Sequence, residues 1–92
     1  MSFASKKKLA NLCKRAGRLD EAVRLWRQII ERNPRDFYAV SELAKHLEHR
    51  ARDYARAMAL IETALAGGNL FSEEEKDSLG RRLKRLTARI QS

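Results

Sequence analysis

Between Lys6 and Ala16 the apolar residues Leu9, Ala10, Leu12, Cys13 and Ala16 recur at intervals of three and four. At about 3.6 residues per turn this spacing gathers them on one broad face, which predicts a first helix. The same period returns in Ala22, Val23, Leu25, Trp26, Ile29 and Ile30, then in Ala39, Val40, Leu43, Ala44 and Leu47. It returns again in Tyr54, Ala57, Met58, Ile61, Ala64 and Leu65, and finally in Leu79, Leu83, Leu86 and Ile90. Five amphipathic helices follow from the pattern.

Breaking and capping residues fall between the stripes. Gly17 can take the left-handed conformation that ends a helix, and Asp20 is placed to cap the next. A connection that short makes the two helices antiparallel neighbours. Asn33-Pro34 stops the second helix, because proline disfavours helical backbone in the residue before it, and Asp36 offers an oxygen to cap the third. The third runs to about Arg50, and Asp53 caps the fourth. Gly67-Gly68-Asn69 ends the fourth. Ser72 and Glu75 have the spacing of a capping box that opens the fifth.

Composition agrees: only four glycines and one proline occur in 92 residues rich in helix formers, so the fold class is all-α. The length suits one modest domain, expected as a single unit over 1–92. The lone Cys13 rules out an intramolecular disulfide and fits a reducing compartment, with cytoplasmic location the expectation. Lys6, Lys7 and Lys8 precede no apolar stretch of the kind a cleaved leader needs, and no run is long enough to cross a bilayer, so no membrane association is expected. The net charge of +8 is uneven: residues 1–36 hold ten bases against four acids, residues 37–70 four of each, and residues 71–92 six against four. Such an excess draws acidic partners and nucleic acid without specifying either.

Sliding the chain by 34 residues aligns Leu9 with Leu43 and Ala10 with Ala44; sliding it by 35 aligns Leu19 with Tyr54, Ala22 with Ala57, Leu25 with Leu60 and Trp26 with Ile61. A period near 34 with two helices per unit resembles the tetratricopeptide repeat, whose form is W-x2-L-G-x2-Y, then A-x3-F, then P. The first unit reads Lys6-x2-Leu9-Ala10-x2-Cys13, Ala22-x3-Trp26, Pro34. Lys6 and Cys13 replace the aromatics, Asn69 stands near the second proline position, and the second unit lacks a glycine between its helices. The resemblance implies two helical hairpins (3–36 and 37–70) wound as a right-handed α-α superhelix, closed by a solvating helix over 72–91. Phe3 suggests that the N-terminal face could stack on preceding repeats, so the chain is expected to be a monomer or part of a larger one.

A narrower likeness lies in Leu12–Trp26 and Glu42–Tyr54, which resemble the helical region after the nuclease domain in some bacterial ribonuclease-H-like exonucleases. It implies an accessory segment without catalytic carboxylates, its basic side near nucleic acid.

The residues assemble no active site. His46 and His49 stand three apart with no further ligand to complete a metal site, and Cys13 sits on the apolar side of its helix with no neighbouring base. No catalytic residue, metal or cofactor is therefore expected, and the chain is expected not to be an enzyme. The resemblance places ligands on the first helices of the hairpins, at Lys7, Asn11, Lys14, Tyr38, Ser41, Lys45 and Glu48. Lys7 and Asn11 are similar to half of a carboxylate clamp, but Glu42 stands where the other half needs an amide, which argues against recognition of chaperone tails. Arg81, Arg82, Lys84, Arg85 and Arg89 are candidate phosphate contacts, with no aromatic residues interleaved among them. The leading expectation is an interaction or scaffold module that takes an acidic or extended protein segment between helices one and three. The alternative is a basic nucleic-acid-binding accessory domain.

Overall fold

The chain forms five helices, α1 (Phe3–Arg15), α2 (Leu19–Arg32), α3 (Phe37–His49), α4 (Tyr54–Ala66) and α5 (Glu73–Gln91), in a computed structural model that describes residues 3–68 and 70–91. Asn69 and the side chain of Phe3, both invoked above, lie outside the described residues. Each helix packs on the next, α1 on α2, α2 on α3, α3 on α4 and α4 on α5, and α5 also reaches back to α3. The result is two stacked hairpins and a closing helix in a slab of 38 × 29 × 18 Å.

The caps explain most of the boundaries. Asp36 accepts a hydrogen bond from the Ala39 amide at 3.1 Å, and Asp53 accepts one from the Arg56 amide at 3.1 Å. Ser72 and Glu75 exchange reciprocal bonds of 2.9 and 3.2 Å, the capping box expected at α5. Asp20 does not cap α2; the helix begins at Leu19 with Arg18 at its N-cap, and Asp20 lies in the first turn, where a carboxylate favours the positive end of the helix dipole. Gly17 takes a φ of 80° in the α1–α2 turn. In the second hairpin, which has no glycine there, Arg52 takes the left-handed conformation with a φ of 52°.

Small residues set the helix spacing. Ala10, Ala22, Ala44 and Ala57 are all completely buried, and Trp26, Ile29 and Ile61 fill the space beside them. All five expected apolar residues of α3 are buried, since α3 has neighbours on several sides. On α1 only two of the five expected stripe residues are covered: Ala10 and Cys13 are buried, whereas Leu9 is 39% and Leu12 60% exposed and Ala16 is exposed, because among the described residues nothing packs on that side of the first helix. Ile90 of α5 is likewise 49% exposed. Phe71, outside every periodic stripe, is buried with its ring edge-on to Phe37 at 6.3 Å between centroids, and so anchors the α4–α5 connection.

Candidate interaction groove between helices one and three

α1 and α3 lie side by side, joined by charged side chains across the face between them. Lys7 Nζ is 2.7 Å from a carboxylate oxygen of the buried Asp36, the residue whose other oxygen caps α3. About two turns further along, Lys14 donates to Glu42 at 3.0 Å, and Lys45 Nζ lies 3.8 Å from the second oxygen of the same carboxylate. Lys7 therefore holds α1 to the start of α3. Asn11, Tyr38 and Ser41 are half-buried along the same face, and the Tyr38 hydroxyl is buried without a hydrogen-bond partner among the described residues.

Beyond Lys14 the face opens into a cavity of about 370 Å³ between the α1–α2 turn and the C-terminal half of α3. Trp26, Leu19 and His46 form its wall, and Lys14, Lys45, His49 and Arg50 stand around it with Glu42. Trp26 is 1% exposed, and its indole N–H is buried with no acceptor among the described residues. His46 sits against it, ring centroids 6.5 Å apart and tilted by 57°, and its Nδ1 is also unpartnered. Burial lowers the His46 pKa below the ordinary 6.5; Arg50 and Arg27 add to this and Asp20 opposes it. Two unsatisfied buried polar atoms in neighbouring rings are uncommon in a folded chain, where nearly all such groups find partners.

Glu48 departs from its expected place in the open groove. It is completely buried beneath α5, where Arg85 binds it in bidentate fashion at 2.9 and 3.0 Å and Arg82 donates at 2.8 Å. The Arg85 hydrogen bonds hold its pKa at about 2, despite the opposing effect of burial. The family resemblance set Glu48 among the open groove positions, and nothing in the pattern of one helix reveals that a helix 34 to 37 residues away covers it.

The same pairing divides the basic row of α5. Arg82 and Arg85 face inward to Glu48, and Arg89 lies over the Tyr54 ring at 5.7 Å with Nε 3.9 Å from Glu48. Arg81 and Lys84 point to solvent. The five cations thus do not form one continuous phosphate-binding strip. Cys13 is buried, and its thiol donates to Glu21 at 3.6 Å. Burial raises its pKa, and the Glu21 bond raises it further. Trp26, His46, Leu19, His49 and Arg50 line the cavity without having been among the expected groove residues; Trp26 belongs to the second helix of its hairpin and reads as core.

Stacked antiparallel helical hairpins with alanines at the crossings define a helical-repeat scaffold, and the chain carries a tetratricopeptide repeat: the model of that family, described as tetratricopeptide repeat, matches residues 3–46. These residues cover α1, α2 and most of α3. The chain is similar to the uncharacterized protein YprB of Bacillus subtilis (strain 168), with 36% identity over 86 residues, 91% of this chain and 21% of that protein. It therefore spans about a fifth of the length of this relative. No solved structure matches it at a significant level. Repeats of this family are in general binding scaffolds rather than enzymes, and among the described residues no helix is long and apolar enough to cross a membrane.

Proposed function

We propose that the chain is a protein-interaction module that holds an acidic, extended segment of a partner along the α1–α3 face, with one acceptor oxygen seated against Trp26. The observation that carries this reading is the cavity lined by Trp26 and ringed by Lys14, Lys45 and Arg50, beside which the Trp26 indole N–H is buried with no acceptor among the described residues. An unsatisfied buried donor disfavours the empty state by about 1–3 kcal/mol, so an entering carboxylate or backbone carbonyl gains that term as well as attraction to the rim. Glu42 does not repel such a segment strongly, because Lys14 and Lys45 both lie against it.

Trp26 is the only tryptophan, so its fluorescence reports on the cavity directly. Titration with an unstructured Glu/Asp-rich peptide should shift its emission with saturation, and the matched Gln/Asn peptide should bind at least about tenfold more weakly, the loss of one charge-assisted contact. Calorimetry on Trp26→Phe, which keeps the ring packing and removes the N–H, should show weaker binding with the fold intact. Equal affinity for the acidic and the amide peptide, or none for either, would sink the proposal.

A further inference from the structure

Gly80 lies in the middle of α5, where glycine weakens a helix by about 0.5–1 kcal/mol relative to alanine. Nothing inside the molecule requires it: its backbone is ordinary, and a Cβ built there meets no atom within 4 Å. Its register in the repeat is informative. Leu79-Gly80-x2-Leu83 occupies in α5 the place of Leu9-Ala10-x2-Cys13 in α1 and of Leu43-Ala44-x2-Leu47 in α3. Ala10 and Ala44 are completely buried in hairpins whose second helices, α2 and α4, present the equally buried Ala22 and Ala57. Gly80 has the same small-residue character but is only partly buried, as is Leu83 at the edge of the core, whose counterparts Cys13 and Leu47 are each 5% exposed.

The rest of the α5 surface agrees with a vacant seat. Beside Gly80 runs a groove of about 370 Å³ bordered by Lys76, Asp77, Arg81 and Lys84. Along the same stripe the Thr87 hydroxyl donates back to the Leu83 carbonyl at 2.9 Å, which satisfies it within the helix, and Ile90 continues the apolar edge. Arg81 and Lys84 have no ion partner among the described residues. A second copy of the chain is a poor occupant, because its net charge of +8 opposes approach to this basic face.

We infer that α5 resembles the first helix of a hairpin and that its Gly80 face docks an acidic amphipathic helix of a partner, in the position α2 takes against α1 and α4 against α3. The partner helix presents a small residue to Gly80, apolar side chains to Leu83 and Ile90, and carboxylates to Arg81 and Lys84. This site is separate from the α1–α3 groove, and either can fail without the other.

A synthetic peptide of residues 53–67, the α4 sequence, carrying Arg56→Glu so that every charge on it is acidic, serves as the probe. Binding followed by fluorescence anisotropy should weaken at least about tenfold in Gly80→Leu, and comparably in the double variant Arg81→Glu, Lys84→Glu. The Gly80→Leu chain should melt no lower than the wild type, since the added side chain enters open space and removes a helix-weakening glycine. Trp26→Phe should leave this binding unchanged. Failure of the peptide to bind, or binding indifferent to Gly80→Leu, overturns the inference. Concentration-dependent dimerisation of the chain that Gly80→Leu abolishes would assign the face to a second copy and overturn the proposed partner.

Discussion

Arg85 grips Glu48 with both carboxylate oxygens, Nε to Oε2 at 2.9 Å and Nη2 to Oε1 at 3.0 Å, and so fastens α5 to the end of α3. The carboxylate is fully buried, whereas the Arg85 side chain is 46% exposed, so the pair is an interface clasp rather than a core ion pair. Removing its acceptor leaves guanidiniums that can partly resolvate. Glu48→Gln should therefore destabilise the chain by about 2–3 kcal/mol, somewhat less than is usual for breaking a fully buried pair. Arg81→Ala, whose side chain faces solvent, should lie within about 0.5 kcal/mol of wild type in the same urea titration. Equal effects of the two would remove the clasp from the account of stability.

The clasp also fixes the direction of acid sensitivity. The folded pKa of Glu48, about 2, lies below its ordinary 4.5, so the carboxylate contributes stability that is full above 4.5 and is lost as pH falls from there through 2. The contribution is on the order of 3 kcal/mol. Urea unfolding between pH 6 and pH 2 should show a loss in the wild type that is smaller in Glu48→Gln.

Arg52 holds a φ of 52° in the α3–α4 connection, a conformation that disfavours side chains with a Cβ by about 1–2 kcal/mol. Arg52→Gly should raise stability by about 0.5–1 kcal/mol, the remainder being offset by the greater freedom of glycine in the unfolded chain. Arg50→Gly, at a φ of −99°, should lower it. Thermal melts of the two variants moving in the same direction would contradict this.

Burial and the bond to Glu21 keep the Cys13 thiol protonated. Its reaction with a maleimide at pH 8 should be slow in the native chain and accelerate with the unfolded fraction as urea is added. Labelling as fast in buffer as in denaturant would show that α1 opens readily.

Burial disfavours the protonated form of His46, with Arg50 and Arg27 acting in the same sense and Asp20 against it, and Lys14, Lys45, Glu42 and His49 stand around the same cavity. Because its folded pKa is lowered, the empty fold loses stability as pH drops through 6.5, where the unfolded chain takes up the proton first. An anionic segment beside the ring reverses that preference. Affinity for the acidic peptide should accordingly rise between pH 7.5 and pH 5.5 in the wild type and in His49→Gln, and stay flatter in His46→Gln.

Helix count, the capping box at Ser72 and the caps at Asp36 and Asp53 were legible in the chain because they are local: each depends on residues within one turn of one another. Asp20 was misplaced as a cap for a related reason. A carboxylate at the start of a helix is favourable both as N-cap and within the first turn, and the pattern does not separate the two. The groove was legible only in part. Lys14 and Lys45 do line the cavity, but Lys7 is taken up by Asp36 and Glu48 by α5.

The hydrophobic period and the 34-residue repeat, by themselves, determined two alanine-spaced hairpins and a closing amphipathic helix, because burial at helix crossings selects residue size as strongly as polarity. Tertiary structure alone decided which faces stay uncovered. Leu12 on α1 and Gly80 on α5 obey the same periodicity as buried Ala44, and only the presence or absence of a neighbouring helix, set by long-range packing, makes one core and the others surface. It also decided which charges remain available: Arg82 and Arg85 differ from Arg81 and Lys84 only in facing Glu48, a partner more than thirty residues away that no local pattern announces.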